Sequence, residues 1–142
     1  MHLTRHTDYG IRILIYLALL PKNEKASIDT ISRLYNISRN NVNKIVHQLG
    51  KADVIETKRG KGGGFSLKLS PESINIGDMI ILLENSLDIV DCDTQRCRIL
   101  PACKFKSIVN EAKKSFLDTL AHYTLADLME GSRDELISIF EL

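Results

Sequence analysis

The chain has 142 residues, of which 44% are hydrophobic and 26% are charged, and its formal net charge at pH 7 is +1. That length suits one compact core and is short for two independent domains. The sequence has no apolar run of the roughly 20 residues that cross a bilayer. Its first residues also lack the pattern of a signal peptide. These features argue against a membrane protein, and we expect a cytoplasmic one.

Basic and acidic residues are segregated along the chain. Residues 38–64 contain six Lys or Arg and two Asp or Glu, whereas residues 70–100 contain six Asp or Glu and two Arg. A basic segment in a nearly neutral protein is typical of a surface that binds a polyanion. From charge alone a solvated loop is the favoured interpretation, so the structure formed by this segment has to decide.

The first third of the chain predicts a helix-turn-helix. An apolar first helix spans about residues 8–20. Ser27 is the predicted N-cap of a short second helix, and Ser38 is the predicted N-cap of a third. Apolar residues recur at helical spacing within residues 42–49. Two short helices joined by a tight connection at residues 35–37 are typical of a helix-turn-helix.

A glycine-rich hairpin is predicted directly after these helices. Residues 54–58 and 65–69 have the composition of two short strands, and the basic, glycine-rich residues 59–64 lie between them. A helix-turn-helix followed by such a hairpin is a winged helix. A nucleotide-binding phosphate loop is the alternative, but the segment lacks a Gly-Lys-Ser/Thr sequence and no helix begins directly after it.

The second half of the chain predicts helices around an irregular segment. A helix is expected over residues 77–84, followed by an irregular stretch to Cys103 and a long amphipathic helix over residues 104–123. Residues 124–127 and 132–135 have the pattern of capping boxes, which predicts two short terminal helices.

The long helix carries an apolar stripe that the winged helix does not need for its own core. The stripe either packs on its own domain or forms a dimer, and we favour the dimer because two-fold proteins match palindromic DNA sites. It consists of Phe105, Ile108, Val109, Ala112, Phe116, Leu120 and Tyr123.

The predicted fold class is therefore mainly α with a small β-hairpin wing, combining a winged helix-turn-helix with a long dimerisation helix. The predicted units are a DNA-binding domain at residues 1–75, a linking helix and cysteine loop at 76–103, and a dimerisation helix with C-terminal helices at 104–142. Together they would form one compact body.

The three cysteines, Cys92, Cys97 and Cys103, lie within one short segment. An odd number of cysteines in a cytoplasmic protein argues against a disulfide framework. From the chemistry, an iron–sulfur cluster, zinc and incidental thiols remain equally open. A thiol enzyme is disfavoured because no His is adjacent. If a metal centre is present, an oxygen atom is a plausible fourth ligand, with the candidates Asp8, Asp91, Asp93 and Glu84.

Several short motifs connect this sequence to a known family. They are Thr7-Asp8-Tyr9-Gly10, Ser38-Arg39-Asn40, the wing Arg59-Gly60-Lys61 with Gly63-Gly64, Ile76-Gly77-Asp78, the cysteine segment ending in Pro101-Ala102-Cys103, and Tyr123 to Leu128. On these motifs the chain resembles, nearly end to end, the Rrf-two family of iron–sulfur winged-helix regulators. Within that family it is most similar to the nitric-oxide-sensing repressors.

The resemblance implies an iron–sulfur cluster, either 2Fe–2S or 4Fe–4S, on Cys92, Cys97 and Cys103, with Asp8 of the partner subunit as fourth ligand. Asp8 has an alternative interpretation as the N-cap of the first helix. The cluster-assembly regulators of the family have a longer first cysteine gap and a His ligand, which this sequence lacks.

The function implied by the resemblance is that of a transcriptional repressor and not an enzyme. A homodimer carrying the cluster would bind palindromic operator DNA, a double-stranded site, and nitric oxide would release it. The alternatives are a regulator of cluster assembly or redox stress, and a zinc-stabilised DNA-binding protein without sensing.

We expect the DNA contacts to come from the start of the recognition helix and from the wing. Asn at the helix start would pair with adenine edges and Arg with guanine, whereas the other basic residues would meet phosphates. Related repressors often carry His where this chain has Asn41, so the operator sequence is expected to differ. The predicted contact residues are Ser38, Arg39, Asn40, Asn41, Lys44, Lys58, Arg59 and Lys61.

Overall fold

The fold is that of a computed structural model and is described for residues 2–142; Met1, the first residue of the predicted unit 1–75, lies outside the described residues. Six α-helices and one antiparallel hairpin follow one another, which confirms the predicted fold class. Their bounds are α1 Arg5–Leu19, α2 Ile28–Tyr35, α3 Arg39–Lys51, β1 Ile55–Lys58, β2 Gly64–Leu67, α4 Ile76–Leu83, α5 Lys104–Leu120 and α6 Arg133–Phe140. The division into the units 1–75, 76–103 and 104–142 stays a prediction.

Helix α1 begins three residues earlier than the sequence pattern predicts. Its N-cap is Thr4, whose hydroxyl accepts a hydrogen bond from the backbone N–H of Thr7 at 3.4 Å. The alternative interpretation of Asp8 as the N-cap is therefore wrong. Asp8 instead lies in the first turn, where the positive end of the helix dipole favours a carboxylate. The helix ends at Leu19, ahead of Pro21.

The helix-turn-helix has the predicted caps. The hydroxyls of Ser27 and Ser38 each accept a backbone N–H bond at 3.1 Å, from Thr30 and Asn41 respectively. Between the helices, Asn36 has a φ of 51°, a left-handed conformation that Asn tolerates and that turns the chain sharply. These local features set the start of α3 without help from distant residues.

The hydrophobic core joins the winged helix to the later helices. Its most deeply buried side chains come from α1 to α4, from both strands of the wing and from the segments before α4 and after α5, among them Leu14, Ile31, Ile45, Phe65, Leu83 and Leu125. At the other end of the chain, the ring of Phe140 on α6 stands edge-on to Tyr16 at 5.4 Å and to Tyr35 at 6.3 Å. The C-terminal helix therefore closes over α1 and α2.

The apolar stripe of α5 divides between two environments. Phe116 and Leu120 are partly buried and pack against the core, whereas Phe105 is 61% exposed and Ile108 is 60% exposed. Near the helix end, the chain approaches α4 closely, and a Cβ on Gly77 would lie 3.0 Å from the backbone of Ala121. Phe116 and Leu120 thus stabilise the protein's own fold, whereas the start of the stripe and its last member, the 50% exposed Tyr123, remain on the surface.

The two predicted capping boxes have different outcomes. The Thr124 box is present, because Asp127 accepts the Thr124 N–H at 2.7 Å while its own N–H donates back to Thr124 Oγ1 at 3.4 Å, but it opens only a short 3-10 turn. The prediction of a capping box at Ser132 is wrong, because its side chain makes no capping hydrogen bond, although α6 does start at the next residue. The ψ of Ser132 is 9°, whereas the caps of α1, α2 and α3 have the extended backbone that lets a side chain reach the first turn.

Within residues 2–142, no helix is both long enough and apolar enough to span a membrane.

Candidate nucleic-acid interface and cysteine loop

The exposed start of α3 is the first part of the candidate site. Arg39, Asn40, Asn41 and Lys44 are all exposed, whereas Val42 between them is fully buried. The buried face therefore anchors the helix and leaves its polar face free along its first two turns. Ser38 caps the helix at its N-terminus and is itself exposed. The structure thus brings five predicted contact residues together on one surface.

An ion pair that the sequence analysis missed lies on this surface. The guanidinium of Arg39 pairs with the carboxylate of Asp29 in the first turn of α2, and both side chains are more than half exposed. An exposed pair of this kind contributes little stability, so Arg39 can exchange its partner for another acceptor at small cost. No periodicity relates residues on different helices, so the sequence contained no signal for this pair.

The wing is a four-residue antiparallel hairpin in which Ile55 pairs with Leu67 and Lys58 pairs with Gly64. Both strands are shorter than predicted. Near the tip end of β2, Phe65 exchanges two backbone hydrogen bonds with Ala26, of 2.8 and 2.9 Å, which tie the wing to the segment before α2. Gly64 must be glycine here, because its φ is 143° and a Cβ would lie 2.4 Å from the carbonyl oxygen of Ala26. The hairpin is consequently held at a set angle to α3.

The wing tip presents the remaining predicted contacts. Lys58, Arg59 and Lys61 are all exposed, and none of them has an ion-pair partner within residues 2–142. A groove lined by residues of α3 and of the wing, including His47 and Arg59, separates the tip from the helix. Lys51 of α3 also lines this groove and has no ion-pair partner within the described residues, so cations stand on both sides of it, an arrangement that favours phosphate binding.

The cysteine loop, residues 85–103, connects α4 to α5 and is irregular as predicted. Cys92 and Cys103 are half-buried and Cys97 is exposed, and all three are free thiols. Cys103 is the N-cap of α5, and its sulfur accepts the N–H of Lys106 at 3.4 Å. A helix N-terminus stabilises negative charge, so an anionic ligand set is favoured at this end of the loop.

The thiols are not assembled into a metal centre within one chain. Among residues 2–142, no group of three or more Cys, His, Asp or Glu has the arrangement of a metal site. Their chemistry nevertheless fits an iron–sulfur cluster, because three thiols lie on one irregular strap with an exposed member in the middle. The strap would have to close around such a cluster, and three thiolates would leave one position for a further ligand.

The candidate oxygen ligands all have other partners in the described chain. Both carboxylate oxygens of Asp8 bind the guanidinium of Arg12, at 2.7 and 2.9 Å. The pKa of Asp91 is lowered by hydrogen bonds from the hydroxyl and the backbone N–H of Thr94. Asp93 lies 3.5 Å from Lys106. Each of these three carboxylates would have to leave a partner before it could bind a metal, which the sequence could not reveal.

Glu84 has a structural role at the junction of α4 and α1. One carboxylate oxygen accepts the backbone N–H of Thr4 at 2.7 Å and the Thr4 hydroxyl at 3.1 Å. Burial opposes the ionisation of Glu84, but these bonds, a further one from Thr7 and the nearby His6 outweigh it and lower its pKa. The carboxylate thus ties the end of α4 to the N-cap of α1.

A second unpredicted set of contacts involves Gln48 on α3. Its amide oxygen lies 2.7 Å from His6 Nε2 on α1, and its amide nitrogen donates to the carbonyl of Leu82 on α4 at 2.6 Å. Gln48 borders the apolar face of α3, and a polar residue at such a border is only a weak sequence signal.

The fold and the sequence motifs of this chain agree with comparisons to known proteins. The family model Rrf2, described as an iron-dependent transcriptional regulator, matches residues 3–131. The chain belongs to the Rrf2 family. The matched residues include every predicted DNA contact and every predicted cluster ligand.

Two curated relatives have the same name. The HTH-type transcriptional regulator NsrR of Halalkalibacterium halodurans is 41% identical over 145 residues, covering 100% of this chain and 99% of that protein. NsrR of Shouchella clausii is 41% identical over 137 residues, covering 94% of this chain and 92% of that one. The predicted resemblance is confirmed, and so is the prediction of a regulator and not an enzyme, since these homologues are named transcriptional regulators.

Solved structures of Rrf2 proteins have the same fold. IscR of T. potens superposes with a TM-score of 0.75 at 25% identity, covering 95% of this chain and 90% of that one. An oxidised form of CymR from Staphylococcus aureus superposes with a TM-score of 0.70 at 26% identity, covering 92% of this chain and 97% of that one.

Proposed function

We propose that this Rrf2 protein is a repressor that binds palindromic operator DNA as a homodimer while it carries an iron–sulfur cluster, and that nitric oxide releases it. One observation carries the proposal. The exposed start of α3 and the unpaired cations of the wing belong to the same short chain as three thiols on the strap that leads into α5. The relatives named NsrR support the choice of a regulator, and the structure supports the surfaces it would use.

The DNA would be read by the N-terminal turns of α3. Lying in the major groove, this helix would direct Arg39 toward a guanine, and Asn40 and Asn41 toward adenines, because these side chains match the two base edges. Ser38 would approach the backbone at the helix start. Phosphates would be bound by the exposed cations Lys44, Lys58, Arg59 and Lys61.

The homodimer would use the exposed half of the α5 stripe. Phe105 and Ile108 are about 60% exposed, and Ile81 on the outer face of α4 is 53% exposed. Large apolar side chains on one long helix are costly to leave in water, and a second copy would cover them. The two-fold symmetry of such a dimer would match a palindromic operator.

The cluster, 2Fe–2S or 4Fe–4S, would be held by Cys92, Cys97 and Cys103, with Asp8 of the partner subunit as fourth ligand. A bound cluster would supply iron with which nitric oxide reacts. Asp8 is suited to a weak, reversible role, because a carboxylate is a harder ligand than a thiolate and Arg12 is positioned to take it back. Once Asp8 returned to Arg12, the cysteine loop of one subunit would lose its link to α1 of the other.

The decisive experiment combines spectroscopy with DNA binding on protein purified without oxygen. We expect visible absorption from the purified protein, and nitric oxide should bleach it and lower operator affinity at the same stoichiometry. Cys97→Ser should lose the absorption and bind the operator only at the non-specific level. If this variant binds as tightly as loaded wild type, the cluster is not the switch.

A matched pair of variants tests the fourth ligand. Asp8 and Asp118 are both exposed, and each forms an ion pair with a basic residue four positions away in its own helix. The partner of Asp8 is Arg12, and that of Asp118 is Lys114. Asp8→Ala should keep a cluster that is lost faster on dilution or chelation, whereas Asp118→Ala should behave as wild type. Equal cluster lifetimes in the two variants would exclude Asp8.

Two outcomes would support the alternative functions. A colourless protein that contains zinc would indicate a zinc-stabilised DNA-binding protein. A coloured protein whose operator affinity responds to cluster loss but not to nitric oxide would indicate a regulator of cluster assembly or redox stress.

A further inference from the structure

The side chain of Gln48, on the recognition helix α3, is partly buried and contacts two other helices, α1 and α4. The carbonyl of Leu82 can only accept, so the amide nitrogen of Gln48 must face it and the amide oxygen must face His6. His6 therefore donates through Nε2–H. The bonds measure 2.6 and 2.7 Å, and both are partly buried. One side chain thus satisfies an acceptor on α4 and a donor on α1 at the same time.

Both partners of Gln48 lie next to the elements that carry the proposed cluster ligands. Leu82 is in the last turn of α4, directly before the cysteine loop, and helix carbonyls at this end lack partners within their own helix. His6 is two positions before Asp8 on α1. Among the described residues, Gln48 is the α3 side chain that hydrogen-bonds to α1 and α4.

Hydrogen bonds constrain α3 in a way that its apolar contacts do not. Val42, Ile45 and Leu49 are fully buried and fix the distance of α3 from the core, but burial of apolar surface has no preferred direction. Hydrogen bonds weaken steeply when their angle changes, so the two bonds of Gln48 restrain the rotation of α3 about its axis more finely than its buried face does. A shift of the last turn of α4 would act on α3 through the bond between Gln48 and the Leu82 carbonyl.

We propose that Gln48 is the positioning residue through which the state of the cysteine loop reaches the recognition helix. A loop closed on its ligands would hold the end of α4, and with it Gln48 and the rotation of α3 that presents Asn40 to the bases. A released loop would loosen the same chain of contacts. The inference rests on the proposed function, since it assumes operator binding that depends on the cluster.

Two variants separate the contacts of Gln48. Gln48→Met keeps the length of the side chain and removes both hydrogen bonds. Gln48→Glu keeps an acceptor for His6 but has no donor for the Leu82 carbonyl. Because the proposed coupling runs through α4, both variants should have the same defect. The measured quantity is the ratio of operator affinities between loaded and cluster-free protein, alongside affinity for unrelated DNA, visible absorption and unfolding temperature.

In both variants we expect the ratio to fall by about tenfold, the effect of losing one or two hydrogen bonds. Cluster absorption, dimerisation and affinity for unrelated DNA should stay at wild-type values. A variant that unfolds at a lower temperature but keeps the wild-type ratio would overturn the inference, because that is the signature of a merely structural residue. A wild-type ratio in Gln48→Glu alone would also overturn it, since the α4 bond would then be dispensable.

The wild-type measurement distinguishes this inference from the function on which it rests. If wild type binds the operator equally well with and without its cluster, the proposed switching function fails and the inference fails with it. If wild type switches and both Gln48 variants switch equally well, only the inference fails.

Discussion

Replacing Gly10 by Ala would test the packing that places α1 against α4. A Cβ at Gly10 would lie 2.6 Å from Cδ1 and 3.2 Å from Cδ2 of Leu83, a side chain that is only 1% exposed. Both methyl groups are close, so a rotation of the Leu83 side chain cannot relieve the contact without disturbing neighbouring core atoms. The substitution therefore sets a gain in helix propensity against overpacking.

The expected magnitude follows from these two opposing effects. Replacing Gly by Ala inside a helix stabilises it by about 0.5–1 kcal/mol. Overpacking a closely packed core costs about 1–3 kcal/mol. The second effect is larger, so Gly10→Ala should lower the free energy of unfolding by about 1–2 kcal/mol. Leu83→Ala alone should cost about 2–5 kcal/mol by leaving a cavity.

The assay is urea unfolding followed by circular dichroism, at one protein concentration because the oligomeric state affects stability. In the double variant, the added Cβ enters space that Leu83→Ala vacates, so the combined loss should be at least about 1 kcal/mol smaller than the sum. Gly50→Ala is the control, because Gly50 lies in α3 with nothing within 4 Å of an added Cβ. A Gly10→Ala protein as stable as the Gly50→Ala protein, or strict additivity, would refute this account.

Four further outcomes can be measured directly. Arg59→Ala should weaken binding to all DNA sequences and reduce the slope of log affinity against log salt by about one, whereas Asn40→Ala should relax preference at one base, as anisotropy titrations would reveal. Phe105→Asp should give a folded monomer in sedimentation, because its ring is 61% exposed within one chain; an unchanged dimer would exclude this face. The pKa of Tyr35 is raised by burial to about 12 from 10.0, so wild type should lose stability between pH 10 and 12 relative to Tyr35→Phe, and parallel curves would contradict this. The pKa of Glu84 is lowered from 4.5, so the stability advantage of wild type over Glu84→Gln should be complete above pH 4.5 and disappear on further acidification.

Local patterns in the sequence determined most of the secondary structure and the fold class. The caps Ser27 and Ser38 act on N–H groups three residues away, so the start of each helix in the helix-turn-helix is encoded within a few residues. The glycine-rich tip and the irregular cysteine loop were equally recognisable, because turn residues act locally. The family motifs, which are also short, carried the identification.

The first residues of helices were less predictable where a local capping preference competed with another constraint. Asp8 is a good capping residue by type, but Thr4 precedes it and also bonds to Glu84, 80 positions along the chain. Ser132 has the right spacing for a capping box, but the turn before α6 gives it the wrong backbone angle. In both cases a tertiary or turn constraint outweighed a local preference.

Only the tertiary structure decided which side chains are covered and which polar groups meet. The single stripe of α5 divided between core and surface, because α5 packs against α4 and only Phe116 and Leu120 of the stripe reach the core. The Arg39–Asp29 pair and the bonds of Gln48 to His6 and Leu82 join residues on different helices. Helical periodicity states which face of a helix is buried, but the packing of the helices against one another determines which side chain lies opposite.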